Sequence, residues 1–324
     1  MNEKEKRSGT STELIPSMKA VIGQLRVDKK HPAVRTYTAT MNSFATFSAE
    51  KGLSMTIEEV FTKGRLKEYQ NWLRARRAEW NTVSTYMRTL KAVYNRRVAE
   101  HPEEYVPRLF EDVYTRVEAH TKRSLDKEQM NTLLDTPDES LPQDVQRTLA
   151  YFLLMFLFRG MPFIDLAYLR RQDLKGDTLI YSRHKTGRQM TLHIPHEAME
   201  LFSRFSNPDP RSGYLFPILD EAIRDDEALY QYYLNALRRF NKKLQKVARL
   251  LPGRVALSSY TPRHTWATLA FYNNMSIGII SKALGHSSIK VTETYLRPFE
   301  NAKVDMANDQ LILSVKNKPE KSAA

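Results

Sequence analysis

The run Leu284-Gly285-His286-Ser287-Ser288-Ile289-Lys290-Val291-Thr292-Glu293-Thr294-Tyr295 places a histidine nine residues before a tyrosine on a short polar segment. Upstream lies Tyr260-Thr261-Pro262-Arg263-His264-Thr265-Trp266-Ala267-Thr268. Proline suits the first turn of a helix, where its missing N–H costs nothing, so Arg263 is expected at a helix start. Further back, Thr178–His184 and Gln189–Pro195 flank Lys185-Thr186-Gly187-Arg188. Met190, Leu192 and Ile194 alternate as a half-buried strand requires and Gly187 marks a turn, which predicts a β-hairpin. Earlier still, the apolar Tyr151–Phe158 segment is followed by Arg159-Gly160-Met161-Pro162-Phe163-Ile164-Asp165-Leu166.

In this order the four segments resemble the signature boxes of the tyrosine recombinases, the family of phage integrases and Xer-like site-specific recombinases. The resemblance covers roughly residues 14–310. It implies that Tyr295 attacks a DNA phosphate and becomes joined to it, and that His286 of the L-G-H-x-S element is delivered to the same phosphate. A phenol with a pKa near 10 is only about one part in a thousand ionised at neutral pH. Tyr295 therefore needs cations to neutralise charge on the non-bridging oxygens, and losing one such donor typically costs about 10²–10³ in rate. By resemblance Arg263 is the second catalytic arginine, a two-pronged donor that stays charged. Lys185 matches the lysine of the family's hairpin and is the implied general acid, protonating the departing 5′-oxygen.

Two slots depart from the family pattern. Tyr260 stands where histidine is usual; a phenol still donates a hydrogen bond to a phosphoryl oxygen but cannot shuttle a proton at pH 7 as an imidazole does. Pro162 occupies the slot of the first catalytic arginine, and Arg159, three residues earlier, is read as its substitute. The F-R-G-M-P-F run is similar to that of a Bacteroidetes branch of the family that includes DNA invertases and mobile-element integrases.

Each assignment has an ordinary rival. A tyrosine near a helix end commonly just packs, and a hairpin lysine commonly sits in a solvated turn. An arginine closing an apolar helix has two other uses, capping the last carbonyls or pairing with Asp165. Arg183 and Arg188 on the hairpin are next in line for the first cationic contact should Arg159 be a cap. His264 reads as a supporting or buried structural residue, and Trp266 and Leu269 as core. His193 and His196 stand either side of Pro195 with no carboxylate or cysteine cluster, which argues against zinc, and no G-x-x-x-x-G-K-[ST] run exists. Neither metal nor cofactor is expected.

The whole chain sets the bounds. Its 324 residues suffice for two domains, with 41% hydrophobic and 27% charged content. The absence of cysteine excludes a secreted fold stapled by disulfides. The polar start lacks an apolar signal core and the longest apolar run is too short for a bilayer, so no export signal or membrane span is read; the resemblance implies a bacterial cytoplasmic protein, nucleoid-associated in action, with no membrane partner. A net charge of +13 suits a polyanionic partner.

The organisation is expected to be mainly α in two domains. Residues 1–13 read as a tail and 14–115 as a helical, SAM-like core-binding domain. Residues 116–123 read as a linker, 124–310 as a mostly helical catalytic domain with a small antiparallel sheet, and 311–324 as a tail. In the first domain Val34, Tyr37, Met41, Phe44 and Phe47 recur at helical spacing, as do Leu66, Tyr69 and Leu73, then Val83, Met87, Leu90 and Tyr94, with Asn81 as N-cap. Arg74, Arg76, Arg77, Arg88 and Lys91 there, and Arg188 on the hairpin, are candidate DNA contacts, against the alternative of a solvated basic face. Glu111–Arg123 is polar and reads as the boundary, and Ser124–Glu128 as a new helix start. A long helix from about Asp226 to Leu251 should turn Leu229, Tyr233, Leu237, Phe240, Leu244, Val247 and Leu251 inward. Asn301–Val315 is amphipathic; such a segment either docks on a neighbouring protomer or covers its own core.

The resemblance thus implies a recombinase acting on double-stranded DNA as a homotetramer, with DNA-bending proteins as further partners and no cofactor. Two rivals remain at this point: a type IB topoisomerase, which shares the chemistry but rejoins the same strand, and a recombinase-derived DNA-binding regulator.

Overall fold

The computed structural model describes residues 13–117, 124–136, 141–253, 255–294 and 301–316. Tyr295 lies outside the described residues. The chain divides into two compact units, residues 1–120 with 225–230 and residues 121–224 with 231–324. Among the described residues no helix is long and apolar enough to cross a membrane.

Among the described residues up to 117 the first unit is built from the α-helices α1 (Leu14–Val27), α2 (His31–Lys51), α3 (Ile57–Val60), α4 (Lys63–Ala75) and α5 (Trp80–Glu100). The three- and four-residue spacings read in the sequence become one core. Phe44 and Phe47 of α2, Leu66, Tyr69 and Leu73 of α4, and Val83, Met87, Leu90 and Tyr94 of α5 are all buried in it, with Tyr37 and Met41 packed alongside. Gly52 ends α2 in the left-handed conformation, φ +63°, as a C-terminal cap commonly requires.

Two expectations need correction. Helix α5 begins at Trp80 behind an extended Glu79, whose carbonyl accepts from Thr82 and Val83, so Asn81 lies in the first turn and is not the N-cap. The segment from Glu111 is also more than a polar connection. Phe110 and Val113 are buried in the first core, and Tyr114 N–H donates to Gln70 Oε1 at 2.7 Å, so the chain stays attached to this unit well past α5.

The second unit opens with α6 (Lys127–Leu134), started by a reciprocal capping box between Asp126 and Gln129. Helix α7 (Gln143–Leu157) is its central element: Thr148 through Met155 are buried without interruption, and α7 packs against α9 (His196–Phe205) and α11 (Thr261–Tyr272). Helix α8 (Phe163–Tyr168) lies between α7 and a three-stranded antiparallel sheet. Its strands β1 (Leu174–Lys175), β2 (Thr178–Ser182) and β3 (Gln189–His193) lie in that order, with Ser182 opposite Gln189. Leu192 and Ile194 are buried and Met190 half-buried, so the alternation holds.

Helix α10 (Asp226–Val247) carries the expected stripe in broader form: Tyr233, Phe240, Leu244 and Val247 are buried, Leu234 joins them, and Leu237 is half-buried. The chain closes with α12 (Ile277–Leu284), α13 (Ile289–Glu293) and α14 (Asn301–Lys316). The tail expected from residue 311 begins inside α14, which continues to Lys316.

Candidate active site

Helix α11 delivers Arg263 one residue after Pro262, inside the first turn. The side chain is 3% exposed, and a charge so buried must be met by acceptors. It is met from two directions. Arg263 Nη1 donates to Gly160 O at 2.9 Å, and Nη2 donates to Leu284 O at 2.6 Å and lies 2.8 Å from His286 Nε2. Boxes far apart in the chain are thereby joined at one guanidinium.

The turn after α7 explains the closeness. Arg159 and Gly160 are both left-handed, at φ +57° and +69°. A side chain at Gly160 would place its Cβ 2.9 Å from Arg263 Cα, so only glycine lets the turn approach α11 this closely. Arg159 projects on the same side, with Nη1 3.5 Å from Thr191 O on β3, and it lines one small pocket together with Pro162, Arg183 and Arg263. Its alternative pairing with Asp165 does not occur; Asp165 is taken by Arg183 at 3.2 Å.

Three arginines fasten the Leu284-Gly285-His286 turn. Arg183 Nη1 donates to Leu284 O at 2.7 Å and Gly285 O at 3.4 Å, Arg263 shares Leu284 O, and Arg188 Nη1 donates to His286 O at 2.7 Å. These carbonyls end α12, where the helix dipole is negative and cations are favoured. Gly285, at φ +68°, leaves no room for a side chain, whose Cβ would lie 2.8 Å from both Arg183 Cδ and Met190 Sδ. Arg183 is therefore committed to holding this turn through its buried pair with Asp165, whose other oxygen accepts from His184 N–H at 2.9 Å.

His286 is 9% exposed. Its Nδ1 lies 2.8 Å from Thr292 Oγ1 on α13. Burial, then the charges of Arg263, Arg183 and Lys185, pull the imidazole down to about 4, so it is neutral at pH 7. Lys185 is exposed in the tight turn between β2 and β3, which Gly187 N–H closes by donating to Arg183 O at 2.8 Å. Tyr260 is 55% exposed at the N-cap of α11. His264 is half-buried, and Trp266 packs on the small core of α11 and α12.

The remaining basic candidates belong to the first unit. Arg74 lies over the Trp80 ring at 4.4 Å and donates to Ala78 O; Arg76 lies over Trp72 at 4.3 Å and pairs with Glu50. Arg77 is left-handed at φ +59°, and Arg88 and Lys91 are exposed along α5. His101, Glu103 and Glu104 bring three possible metal-ligand atoms within 4.8 Å of one another, but both Glu104 oxygens already accept from Arg97.

Sequence reasoning missed two members of this cluster. Asp165 was noticed only as a partner for Arg159, and Thr292 not at all. The signal for Thr292 is faint, a threonine in a polar run; only the fold brings it against His286.

The phage integrase family model matches residues 123–302 and the phage integrase SAM-like domain model matches 13–106. The chain belongs to the phage integrase family. Among curated proteins, this tyrosine recombinase is 23% identical over 293 residues to the tyrosine recombinase XerC of Chlamydia caviae, covering 81% of this chain and 87% of that one. It is 26% identical over 150 residues to XerC of Caldanaerobacter subterraneus subsp. tengcongensis, spanning 44% of this chain and only 39% of the relative. Among solved structures, the recombinase resembles the Tn1549 transposon integrase in complex with a circular intermediate DNA, at TM-score 0.62 and 16% identity, covering 92% of this chain and 100% of that one. It also resembles XerH bound to difH, at TM-score 0.57 and 15% identity, covering 89% and 84%. The mostly helical, two-domain architecture with its small sheet is that of these recombinases.

Proposed function

We propose that Tyr295 is the nucleophile with which this recombinase opens a DNA strand, and that Arg263, His286, Arg159 and Lys185 carry the charge and the proton of that step. The phenol loses its proton to solvent as its oxygen forms a bond to phosphorus and the bond from phosphorus to the 5′-oxygen breaks. The products are a 3′-phosphotyrosine and a strand ending in a 5′-hydroxyl. Lys185 gives its proton to the leaving oxygen. The arginines stabilise the negative charge on the non-bridging oxygens, with His286 holding Arg263 in place. Attack by the 5′-hydroxyl of another strand reverses the step and rejoins DNA without ATP, because the covalent intermediate conserves the phosphodiester's energy.

The observation that carries this reading is the 2.8 Å contact between Arg263 and His286, with Arg159 lining one small pocket beside Arg263. A buried arginine already oriented by fixed acceptors is what preorganised phosphate recognition needs. Tyr260 adds a hydrogen-bond donor near the start of α11, and Arg74, Arg76, Arg77, Arg88, Lys91 and Arg188 contact phosphates of the bound duplex.

Assembly as a homotetramer on double-stranded DNA is supported by apolar side chains left exposed. Met306, Leu311, Leu313 and Val315 of α14 face solvent, as do Ile279 of α12 and Ile289 and Val291 of α13. We infer that α14 docks on a neighbouring protomer in the complex, and that the protein works in the bacterial cytoplasm, integrating, excising or inverting a mobile element. The domain limit near residues 116–123 belongs to the same proposal.

A nicked suicide substrate run on a denaturing gel tests the centre. Wild type should form a covalent protein–DNA band, and Tyr295→Phe should form none while binding target DNA nearly as well. A persistent band in the variant would remove Tyr295 from its role. Relaxation of plasmid lacking target sites would instead point to topoisomerase activity.

A further inference from the structure

Arginine has no hydrogen-bond acceptor, so where Arg263 Nη2 meets His286 Nε2 the ring nitrogen must accept. A neutral imidazole carries one N–H, which is then on Nδ1, pointing at Thr292 Oγ1 at 2.8 Å. Thr292 is fully buried on α13 and stands three residues before Tyr295. Its hydroxyl is the acceptor that makes this tautomer the stable one.

We propose that Thr292 is a positioning residue: it holds His286 in the Nδ1–H form, so that Nε2 orients Arg263. The inference deepens the proposed strand-cleaving centre and rests on that reading for its link to catalysis. The chain Thr292, His286, Arg263 is one run of hydrogen bonds with a fixed direction. Arg263 donates to the ring, and the ring donates to Thr292. Gly160 O and Leu284 O fix the guanidinium from its other side. The burial and neighbouring cations that keep the ring uncharged agree with a single N–H.

Reversing one link breaks the run. Were the proton on Nε2, two donors would face each other at 2.8 Å and the pair would separate. Thr292→Val keeps the branched shape but offers no acceptor, so Nδ1–H loses its partner and the ring turns to the Nε2–H form. Thr292→Ser restores the hydroxyl.

The test uses the full chain labelled with ¹⁵N-histidine, free of DNA, at pH 7. His286 is assigned by its disappearance in His286→Asn. Wild type and Thr292→Ser should show a protonated Nδ1 and an unprotonated Nε2, and Thr292→Val should lose that pattern. On the suicide substrate Thr292→Val should cleave about 10- to 100-fold more slowly at unchanged DNA affinity, the scale of a misplaced catalytic group, with Thr292→Ser close to wild type. A protonated Nε2 on His286 in the wild type overturns the proposal, as does wild-type cleavage by Thr292→Val. If Thr292→Val unfolds, the wild-type and Thr292→Ser spectra still decide the tautomer. Failure of wild type to form any covalent adduct would overturn the strand-cleaving reading instead, and the tautomer pattern would separate the two failures.

Discussion

Asp165→Asn removes one charge and almost no volume, which isolates the buried ion pair that fastens the His286 turn. The Asp165 side chain is 0% exposed and that of Arg183 8%, with 3.2 Å between them. Asparagine keeps a carbonyl oxygen able to accept from His184 N–H, so the lost quantity is the counter-charge to a guanidinium that cannot deprotonate. Leaving one partner of a buried pair uncompensated costs about 3–5 kcal/mol. In a unit of roughly 200 residues each kcal/mol lowers the melting temperature by about 2–4 °C, so a fall of about 6–20 °C is expected. Asp165→Asn/Arg183→Met should recover most of it, because Leu284 O loses its bond from Arg183 but keeps the one from Arg263, and Gly285 O gives up only a long contact. Calorimetry and urea unfolding of the four proteins give the coupling energy. A loss under about 1 kcal/mol in Asp165→Asn, or simple additivity in the double variant, would refute the claim that this pair holds the turn.

Lys185→Ala should cleave ordinary DNA slowly but be substantially rescued when the leaving 5′-oxygen is replaced by sulfur, which departs without a proton; equal impairment on both substrates would make Lys185 a phosphate contact rather than the acid. Arg159→Ala should lose about 3–4 kcal/mol of transition-state stabilisation on the suicide substrate while melting near the wild-type temperature. Adding Pro162→Arg should return part of the rate, and wild-type cleavage by Arg159→Ala alone would make that arginine a structural turn residue.

Local periodicity was legible in the sequence. Phe44, Leu66, Met87 and their neighbours announced helices because a single buried face repeats every three or four residues, and Met190, Leu192 and Ile194 announced a strand for the matching reason. The boxes carrying Arg263, His286 and Lys185 were legible as motifs. The partner of Asp165 was not: Arg159 is near in sequence, whereas Arg183 reaches it only because the hairpin folds over α8. Phe110 and Val113 escaped notice because two apolar residues in a polar stretch carry no period, and their burial comes from a core built by other helices. Thr292 escaped for the same kind of reason, since its hydroxyl acquires meaning only when His286 is brought against it. Asn81 was misread as a cap by its type alone, while the carbonyl that starts α5 belongs to Glu79.

The links that fasten the centre span great distances along the chain. Arg263 reaches Gly160 over 103 residues, Arg183 reaches Leu284 over 101, and Arg188 reaches His286 over 98. Closing loops of this length is slow compared with forming helices, so such contacts gather late in folding. A chain still emerging from the ribosome has these cations, with Asp165 and Gly160 O to meet two of them, long before it has the carbonyls of Leu284 and His286. A fragment truncated before α12 therefore keeps Arg183, Arg188 and Arg263 but lacks the turn whose carbonyls fix them.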